Sequence, residues 1–161
     1  MPLDYSDILK SFIKEKIEFT VIGGFAAVAH GVVRVTMDLD LALILNATNL
    51  EKTWSLCEKM GFIIRQPLSK EQFIDPKKLK EIADEKDAKA ISFIHKKQNY
   101  LVIDILFNQE FQFSDKDIVD LNLFGVKCPV LGVEKLIELK LAAGIEKDLE
   151  DVRELKKIKK K

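Results

Sequence analysis

The stretch from Phe19 to Leu45, FTVIGGFAAVAHGVVRVTMDLDLALIL, decides the fold that this sequence predicts. It reads as a strand, a Gly-Gly turn, a short helix and a second strand that begins with two aspartates, Asp38 and Asp40. Because alternate side chains of a strand share a face, both carboxylates point to one side, and Leu39 and Leu41 point to the other. The stretch therefore predicts two neighbouring carboxylates on one face of a sheet.

The two carboxylates have two interpretations. Like charges this close repel, and each raises the pKa of the other unless a cation lies between them. Hard oxygen ligands at this spacing suit Mg²⁺ or Mn²⁺, which bind through one or two carboxylates together with phosphate oxygens. The alternative is that Asp38 and Asp40 lie at a frayed strand end and are solvated. The Asp-Leu-Asp motif alone leaves both interpretations open.

The Gly23-Gly24 pair follows the apolar strand Phe19–Ile22. Glycines permit a positive φ and a close backbone approach, and the free N–H groups at the start of the following helix favour an anion. Such a turn suits a phosphate, although glycines at this position also serve packing alone. The Gly-Gly pair is more informative because only thirteen residues, among them Arg34 and Thr36, separate it from the acidic pair.

The combined motif resembles the signature of the polymerase-β-like nucleotidyltransferases: an apolar residue, Gly-Gly or Gly-Ser, a gap, then Asp-apolar-Asp-apolar. More narrowly, it is similar to the minimal nucleotidyltransferases of bacteria and archaea, including abortive-infection-type toxin enzymes. The positions that carry the resemblance are Ile22, Gly23, Gly24, Ala26, His30, Gly31, Arg34, Thr36, Asp38, Leu39, Asp40 and Leu41. Many members have a serine as the second residue of the pair, whose hydroxyl helps to hold a phosphate, whereas this chain has Gly24.

A third carboxylate, Asp104, is the only charged residue in the run LVIDILF. A carboxylate in a central strand is costly to bury unless it is paired or binds a metal. If the two strands are neighbours, it can point to the side of Asp38 and Asp40; the alternative is an aspartate that caps a nearby loop. In the resembled family a third acidic residue on a following strand completes the metal site and acts as or near the general base. The resemblance implies that role for Asp104.

Two cations complete the predicted site. Arg34 lies four residues before Asp38, where it pairs with a carboxylate or reaches a triphosphate. Lys140 lies inside an otherwise apolar helix, where it contacts the phosphates, neutralises the acidic cluster, or snorkels to the surface. The expected nucleotide-binding residues are Gly23, Gly24, Arg34, Thr36 and Lys140, and the expected metal-binding and catalytic residues are Asp38, Asp40 and Asp104.

Apolar spacing predicts the remaining elements. Helices are expected over residues 3–17, 49–60, 133–143 and 145–158, and strands over 62–64, 90–95 and 100–107, with a last hairpin within 117–130. Residues 65–89 have few apolar anchors and are expected to form an exposed helical insertion or lid. His30 is interpreted as structural and Trp54 as part of the core. The resemblance implies an α/β (α+β) fold, a nucleotidyltransferase-like mixed β-sheet flanked by helices.

Composition limits the class of protein. The 161 residues fit a single domain, 1–161, whose C-terminal helices lie within 132–158. Lys+Arg and Asp+Glu both number 26, so net charge gives no argument for nucleic-acid binding. Cys57 and Cys128 form no metal-binding motif and are interpreted as reduced thiols of a cytoplasmic protein. No signal peptide is apparent, and no apolar run reaches the roughly 20 residues that cross a bilayer.

The resemblance implies a metal-dependent transfer of a nucleotidyl group. An acceptor hydroxyl attacks the α-phosphorus of a nucleoside triphosphate and pyrophosphate leaves, with two Mg²⁺ or Mn²⁺ ions expected at the carboxylates. ATP is favoured because it is the abundant donor, while a protein, a transfer RNA and a small hydroxylated molecule all stay open as acceptors. An antitoxin or a second copy of the chain is a possible partner, and no membrane is expected.

Two other functions use the same residues. The chain is alternatively a non-catalytic nucleotide-binding or partner-binding module that keeps the fold without the chemistry. A metal-dependent phosphohydrolase would use the same carboxylates with a positioned water instead of an acceptor. Product analysis separates the three, because they yield a transferred nucleotide, nothing, or a free monophosphate.

Overall fold

The structure is a computed structural model that describes residues 2–85, 90–106 and 113–160, which contain seven α-helices and seven strands. The helices are α1 (Tyr5–Lys14), α2 (Gly23–Ala29), α3 (Ala47–Lys59), α4 (Lys70–Phe73), α5 (Pro76–Glu85), α6 (Val133–Ala143) and α7 (Glu146–Lys159). The strands are β1 (Phe19–Ile22), β2 (Asp38–Leu43), β3 (Phe62–Ile64), β4 (Ala90–His95), β5 (Val102–Leu106), β6 (Ile118–Leu123) and β7 (Val126–Leu131).

All these strands form one mixed sheet in the order β3-β4-β5-β2-β1-β7-β6. β2 lies at its centre, parallel to β5 on one side and antiparallel to β1 on the other. β1 is in turn parallel to β7, and the outer pairs are antiparallel. The predicted α/β class and mixed sheet are confirmed, and the strand order is what the sequence could not supply.

Local signals place the helix ends close to where the sequence predicted them. Asp4 and Asp7 form a capping box that starts α1, because each side chain accepts a hydrogen bond from the other residue's backbone N–H. α6 covers the predicted residues and ends at Gly144, which has a left-handed φ of 66°. α3 starts two residues earlier than the predicted residue 49, because the side chain of Asn46 caps it by accepting from the backbone N–H of Asn49. Phe107, the predicted end of β5, lies outside the described residues.

The two faces of β2 differ as the alternation predicted. Leu39 and Leu41 are fully buried, while Asp38 and Asp40 are half-buried on the opposite face. The core beneath the leucines also contains Ile8, Leu9, Phe12, Val21, Ile103, Ile105 and Val130. Burying this apolar face fixes which way every side chain of the central strand points, because a one-residue slip would exchange the faces.

The segment 65–85 differs from the expected exposed insertion. It is helical, but Phe73 and Leu79 are fully buried and join the main core. Trp54, predicted to be a core residue, packs its ring 5.4 Å from that of Phe73 and 5.8 Å from that of Phe93. Residues 65–85 therefore cover part of the sheet, while residues 86–89 lie outside the described residues.

His30 has the structural role predicted for it. Its Nε2 atom lies 2.8 Å from the backbone oxygen of Leu131, the last residue of β7. This contact ties the end of α2 to the sheet, as expected for a histidine without a chemical role.

A buried ion network connects the loop before β2 to the last two helices. Lys140 of α6 donates to Asp151 of α7 at 2.9 Å and to Asp148 at 3.3 Å, and Arg34 also contacts the Asp151 carboxylate. Lys140 and Asp151 are only 5% and 4% exposed. Snorkelling of Lys140 to the surface is therefore wrong. The two cations and two carboxylates balance one another, which is the condition for burying charges.

No helix among the described residues is both long enough and apolar enough to span a lipid bilayer.

Cys57 and Cys128 are buried, unbonded thiols. Burial raises the pKa of the Cys128 thiol to about 11, helped by the charge of Asp120, so this thiol stays protonated at neutral pH.

Replacing Asp151 tests the network. Asp151→Asn keeps the shape of the side chain but leaves Arg34 and Lys140 short of a counter-charge in a buried place. We expect the free energy of unfolding to fall by about 3–5 kcal/mol, the usual cost of breaking a buried ion pair from one side. Urea unfolding followed by circular dichroism measures this loss.

The matched control is Glu154→Gln on the same helix, where the carboxylate pairs with Lys157 and both side chains are more than half exposed. That change should cost less than about 1 kcal/mol, as is usual for an exposed pair. Equal losses in the two variants would contradict the stabilising role of the network.

Candidate active site

Strand pairing brings the three predicted carboxylates together. Asp40 of β2 lies directly beside Asp104 of β5 in the parallel register, and Asp38 lies beside Val102. Paired residues of neighbouring strands point to the same face, so Asp38, Asp40 and Asp104 share one side of the sheet. β2 and β5 are neighbours, as the sequence argument for Asp104 required. The side chain of Asp104 accepts its hydrogen bond from Ser92 of strand β4 and not from a loop.

Ser92 of β4 orients the third carboxylate. It pairs with Asp104 across the antiparallel β4–β5 hairpin, and its hydroxyl donates to Oδ1 of Asp104 at 2.6 Å. Ser92 is only 4% exposed, so the bond is shielded from water. The hydroxyl holds one oxygen of Asp104 in place, while Oδ2 accepts no hydrogen bond within the described part of the chain. Sequence reasoning missed Ser92.

Gly23 lies against the carboxylate of Asp40. A Cβ atom at this position would collide with Oδ2 of Asp40 and come within 2.9 Å of its Cγ, so a side chain here would displace the carboxylate. Gly23 also has φ +67°, which L side chains rarely adopt. The glycine is therefore required both by its backbone conformation and by the close approach of Asp40.

Gly24 has a different neighbour. A Cβ atom here would lie 2.5 Å from Oγ1 of Thr36 and 3.4 Å from Cζ of Arg34. The hydroxyl of Thr36 thus occupies the space into which a serine at position 24 would extend. Thr36, named from the sequence as a nucleotide-binding candidate, therefore places its hydroxyl against the backbone of Gly24.

The acidic cluster carries an excess of negative charge. Burial, followed by the charges of Asp104 and Asp38, raises the pKa of Asp40 to about 7, although Lys140 and Arg34 lower it in part. Burial and Asp104 also raise the pKa of Asp38. A bound cation would offset both the cost of burying the Asp40 carboxylate and its repulsion by Asp104 and Asp38.

Two exposed cations lie nearer to Asp38 than sequence reasoning foresaw. The charges of Arg65, which follows β3, and Lys147, on α7, both lower the pKa of Asp38. Neither forms an ion pair within the described residues, whereas Arg34 and Lys140 are bound to Asp151.

Tyr5 is another residue that the sequence did not single out. Its hydroxyl lies at the start of both central strands, donates to the backbone oxygen of Met37, and accepts from the backbone N–H of Val102 at 3.2 Å. Burial, and the nearby charges of Asp38, Asp104 and Asp40, raise the pKa of Tyr5. Tyr5 therefore ties β2 to β5 beside the carboxylates and stays neutral.

The residues present fit a hard divalent cation. In the ranges 2–85, 90–106 and 113–160, no three His, Cys, Asp or Glu side chains converge closely enough to enclose an ion by themselves. Mg²⁺ does not need such an enclosure, since one or two carboxylates plus phosphate oxygens and water usually hold it. Asp38 and Asp40, with Asp104 beside them, supply oxygen ligands of the right chemistry on one face.

The pKa of Asp40 predicts how stability changes with pH. Because its pKa is about 7 in the folded protein and near 3.8 otherwise, the folded protein binds the proton more tightly. Stability should therefore fall as pH rises from about 4 to 7, and the cost is complete above 7. Asp40→Asn removes that cost, so the metal-free variant should be more stable than the wild type at pH 8, by roughly 1–4 kcal/mol.

The difference between the two proteins should shrink steadily below pH 7 and approach zero below about pH 3, where Asp40 is protonated in both the folded and the unfolded state. Urea unfolding at several pH values, in buffer containing a chelator, measures it. Glu58→Gln, which removes an exposed carboxylate from α3, is the control and should show no such trend. A difference between Asp40→Asn and wild type that is constant over the whole pH range would rule out the raised pKa.

Known proteins resemble this chain in structure only. No protein-family model matches it, and no curated protein matches its sequence. The solved structure of LnuA, a lincosamide antibiotic adenylyltransferase with lincomycin bound, is 20% identical with a TM-score of 0.65, covering 96% of this chain and 95% of that one. The structure of ANT(2'')-Ia in complex with adenylyl-2''-tobramycin is 13% identical with a TM-score of 0.63, covering 96% and 90%.

A third structure, of a candidate nucleotidyltransferase from Thermotoga maritima, is 15% identical with a TM-score of 0.55, covering 93% of this chain and 88% of that one. At such identities the likeness concerns the path of the chain and not the substrate. The chain therefore has the nucleotidyltransferase fold that the sequence resemblance implied.

Proposed function

We propose that this protein is a metal-dependent nucleotidyltransferase that moves a nucleoside monophosphate, with ATP as the favoured donor, onto a hydroxyl group. The observation that carries the proposal is the register of β2 and β5, which sets Asp40 directly beside Asp104 on the face that also carries Asp38. These carboxylates adjoin Gly23, whose bare backbone approaches Asp40 closely. Likeness of the fold to the adenylyltransferase LnuA supports the same reaction class.

Asp38, Asp40 and Asp104 would hold Mg²⁺ or Mn²⁺, two ions being expected, and the bound metal would stabilise charge on the attacking and leaving oxygens. Asp104 is the proposed general base. Its Oδ1 is held by Ser92, so Oδ2 is the atom that takes the proton from the acceptor hydroxyl as that oxygen attacks the α-phosphorus. Pyrophosphate is the leaving group.

The donor phosphates are assigned to the side of Asp40 that faces Gly23 and Gly24, away from Asp104. The backbone at Gly23 and Gly24 leaves room for phosphate oxygens, and the hydroxyl of Thr36 supplies the contact for which the resembled family often uses serine. Arg34 and Lys140 are bound to Asp151, and from there they offset the charge of Asp40 only in part. We assign contact with the triphosphate to the cations near Asp38 that form no ion pair within the described residues, and Lys147 is the favoured one.

The acceptor is proposed to be a small hydroxylated molecule. LnuA was solved with lincomycin and ANT(2'')-Ia with an adenylylated tobramycin, and LnuA matches this chain over 95% of its length. A protein or transfer RNA acceptor, and the toxin-antitoxin setting that the sequence resemblance suggested, stay predictions.

A transfer assay tests the proposal. The protein is incubated with Mg²⁺ and ATP labelled at the α-phosphate, together with tobramycin, lincomycin or total transfer RNA, and the products are separated. We expect labelled nucleotide to appear on an acceptor, to require the metal, and to fall at least ~10³-fold in Asp40→Asn, since several kcal/mol of transition-state stabilisation are lost.

Glu58→Gln is the matched control and should keep wild-type turnover, because Glu58 lies on α3 and not on the paired strands that carry the site. Near wild-type turnover in a folded Asp40→Asn protein would contradict the assigned site. Release of free monophosphate instead of transfer would replace the proposal with a phosphohydrolase, and nucleotide binding without any product would replace it with a binding module.

A further inference from the structure

Arg65 extends a row of side chains that crosses the sheet through the candidate active site. β3 and β4 pair in antiparallel register to the end of β3, and the next N–H, that of Arg65, donates to the backbone oxygen of Ser92 at 2.8 Å. Arg65 therefore lies opposite Ser92 and on the same face of the sheet. Strand pairing continues this row through Ser92, Asp104 and Asp40.

The backbone of Arg65 is held in place although its side chain is exposed. The next residue, Gln66, accepts a hydrogen bond from the N–H of Ser92 at 3.0 Å and donates one to the backbone oxygen of Ala90 at 3.2 Å. These side-chain bonds continue the pairing with β4 beyond the end of β3. The guanidinium forms no ion pair with a described residue, so its N–H donors are presented from a fixed point of the sheet.

Arg65 lies on the acceptor side of the proposed reaction. In the sheet order, β4 and β5 separate β3 from β2, whereas Gly23 follows β1 on the far side of β2. Neighbouring strands are about 4.8 Å apart, so the backbone of Arg65 is roughly 10 Å from that of Asp104 and roughly 19 Å from β1. The Arg65 side chain can therefore approach a molecule bound at Asp104, but not phosphates held at Gly23.

The surface between Arg65 and Asp104 is open and partly apolar. Only the short side chain of Ser92 lies between them in the row. Ile63 precedes Arg65 by two residues and shares its face, where it is 51% exposed and pairs with the half-buried Ile94. A small molecule whose hydroxyl lies at Asp104 would place its carbon skeleton against these isoleucines and its far end at Arg65.

The charge of Arg65 acts on the active site. Burial and the charge of Asp104 raise the pKa of Asp38, while Arg65 and Lys147 both lower it. Lys147 is assigned to the donor triphosphate, so Arg65 is the cation near Asp38 that is left for another anion. One cation suits one anionic group, whereas a polyanion such as RNA is usually bound through several phosphate contacts.

We propose that Arg65 selects the acceptor, and that the acceptor is a small hydroxylated molecule bearing one phosphate or carboxylate group. A guanidinium binds such a group through two parallel N–H bonds. The hydroxyl of the same molecule lies at Oδ2 of Asp104, which places the two groups a few bonds apart. The inference rests on the proposed function, which requires a hydroxyl beside Asp104.

NMR titration in Mg²⁺, without nucleotide, tests the anion site independently of catalysis. The probes are inorganic phosphate and acetate, and the readout is the side-chain Nε–H signal of the three arginines, Arg34, Arg65 and Arg153. We expect the Arg65 signal to shift and saturate, with at least ~10-fold tighter binding than at the exposed Arg153. The probe that binds more tightly identifies the group as phosphate or carboxylate.

A control separates this site from phosphate bound to the metal. Arg65→Gln should weaken binding of the preferred probe at least ~10-fold by calorimetry, whereas Arg153→Gln should leave it unchanged. An Arg65 signal that neither probe moves would overturn the inference. So would an equal response of Arg65 and Arg153, which would show an adventitious ion only.

Kinetics test the same residue during transfer. The transfer assay is extended to glucose 6-phosphate, gluconate and glucose, which offer one carbon skeleton with a phosphate, a carboxylate or neither. We expect an anionic member to exceed glucose at least ~10-fold in kcat/KM, and Arg65→Gln to remove this preference while the KM for ATP changes less than about twofold. Arg65→Lys keeps the charge without the paired N–H donors and should give an intermediate preference. Arg153→Gln is the matched control and should keep the wild-type preference.

Three kinetic results would overturn the inference. The first is equal use of glucose and its anionic relatives, and the second is a preference that survives in folded Arg65→Gln. The third is transfer to tobramycin or lincomycin that Arg65→Gln leaves unchanged. Efficient transfer to total transfer RNA, with none to the small molecules, would replace the small anionic acceptor with a nucleic acid.

Failure of the inference and failure of the proposed function give different results. Phosphate or acetate binding that depends on Arg65, without nucleotide transfer to any acceptor, would keep the anion site and reject the transferase. Transfer to neutral acceptors, without any response of the Arg65 signal, would keep the transferase and reject the anionic acceptor.

Discussion

The parallel pairing of β2 with β5 is the constraint on which the rest of the site depends. It fixes Asp40 beside Asp104, and it holds because Leu39, Leu41, Ile103 and Ile105 are buried together on the opposite face. A slip of one residue would turn those side chains to solvent and the carboxylates into the core, at the cost of several buried side chains. The apolar face thus specifies the geometry of the polar one.

Placing three carboxylates on one face creates repulsion that the fold does not fully cancel. Burial and the charges of Asp104 and Asp38 raise the pKa of Asp40 to about 7, and Arg34 and Lys140, which both contact Asp151, lower it only in part. Structural networks usually balance their charges, as the network around Asp151 does. An uncompensated cluster beside a bare glycine backbone is instead typical of a site that is completed by a cation and its phosphate ligand.

The sequence predicted what depends on local periodicity and missed what depends on long-range register. Alternation in β2 was enough to place Asp38 and Asp40 on one face, and the glycine pair was recognised from its position before the helix. The partnership of Asp104 with Asp40 required knowledge of strand order, which only the family resemblance suggested. Ser92 could not be found, because the hairpin register decides whether it or a neighbour faces Asp104.

Charged residues on helices were the other limit. Asp151 lies in a charge-rich helix and was not singled out from the sequence, yet it is buried between Lys140 of the preceding helix and Arg34 from a distant part of the chain. Likewise, residues 65–85 looked exposed because their apolar anchors are few, although Phe73 and Leu79 are enough to fix them to the core. The fold class is predictable because many residues contribute to the periodic pattern of the sequence. The site depends instead on a few contacts between residues that are far apart in the sequence.

The most direct test of the account is a calorimetric titration of the four nucleoside triphosphates, with and without Mg²⁺ or Mn²⁺, into wild-type protein and an Asp38→Asn/Asp40→Asn double variant. It requires no knowledge of the acceptor. The account predicts that at least one triphosphate binds only with the metal, and that this binding is lost in the folded double variant. Binding that is equally strong without metal or in the double variant, or no binding to the folded wild type, would contradict it.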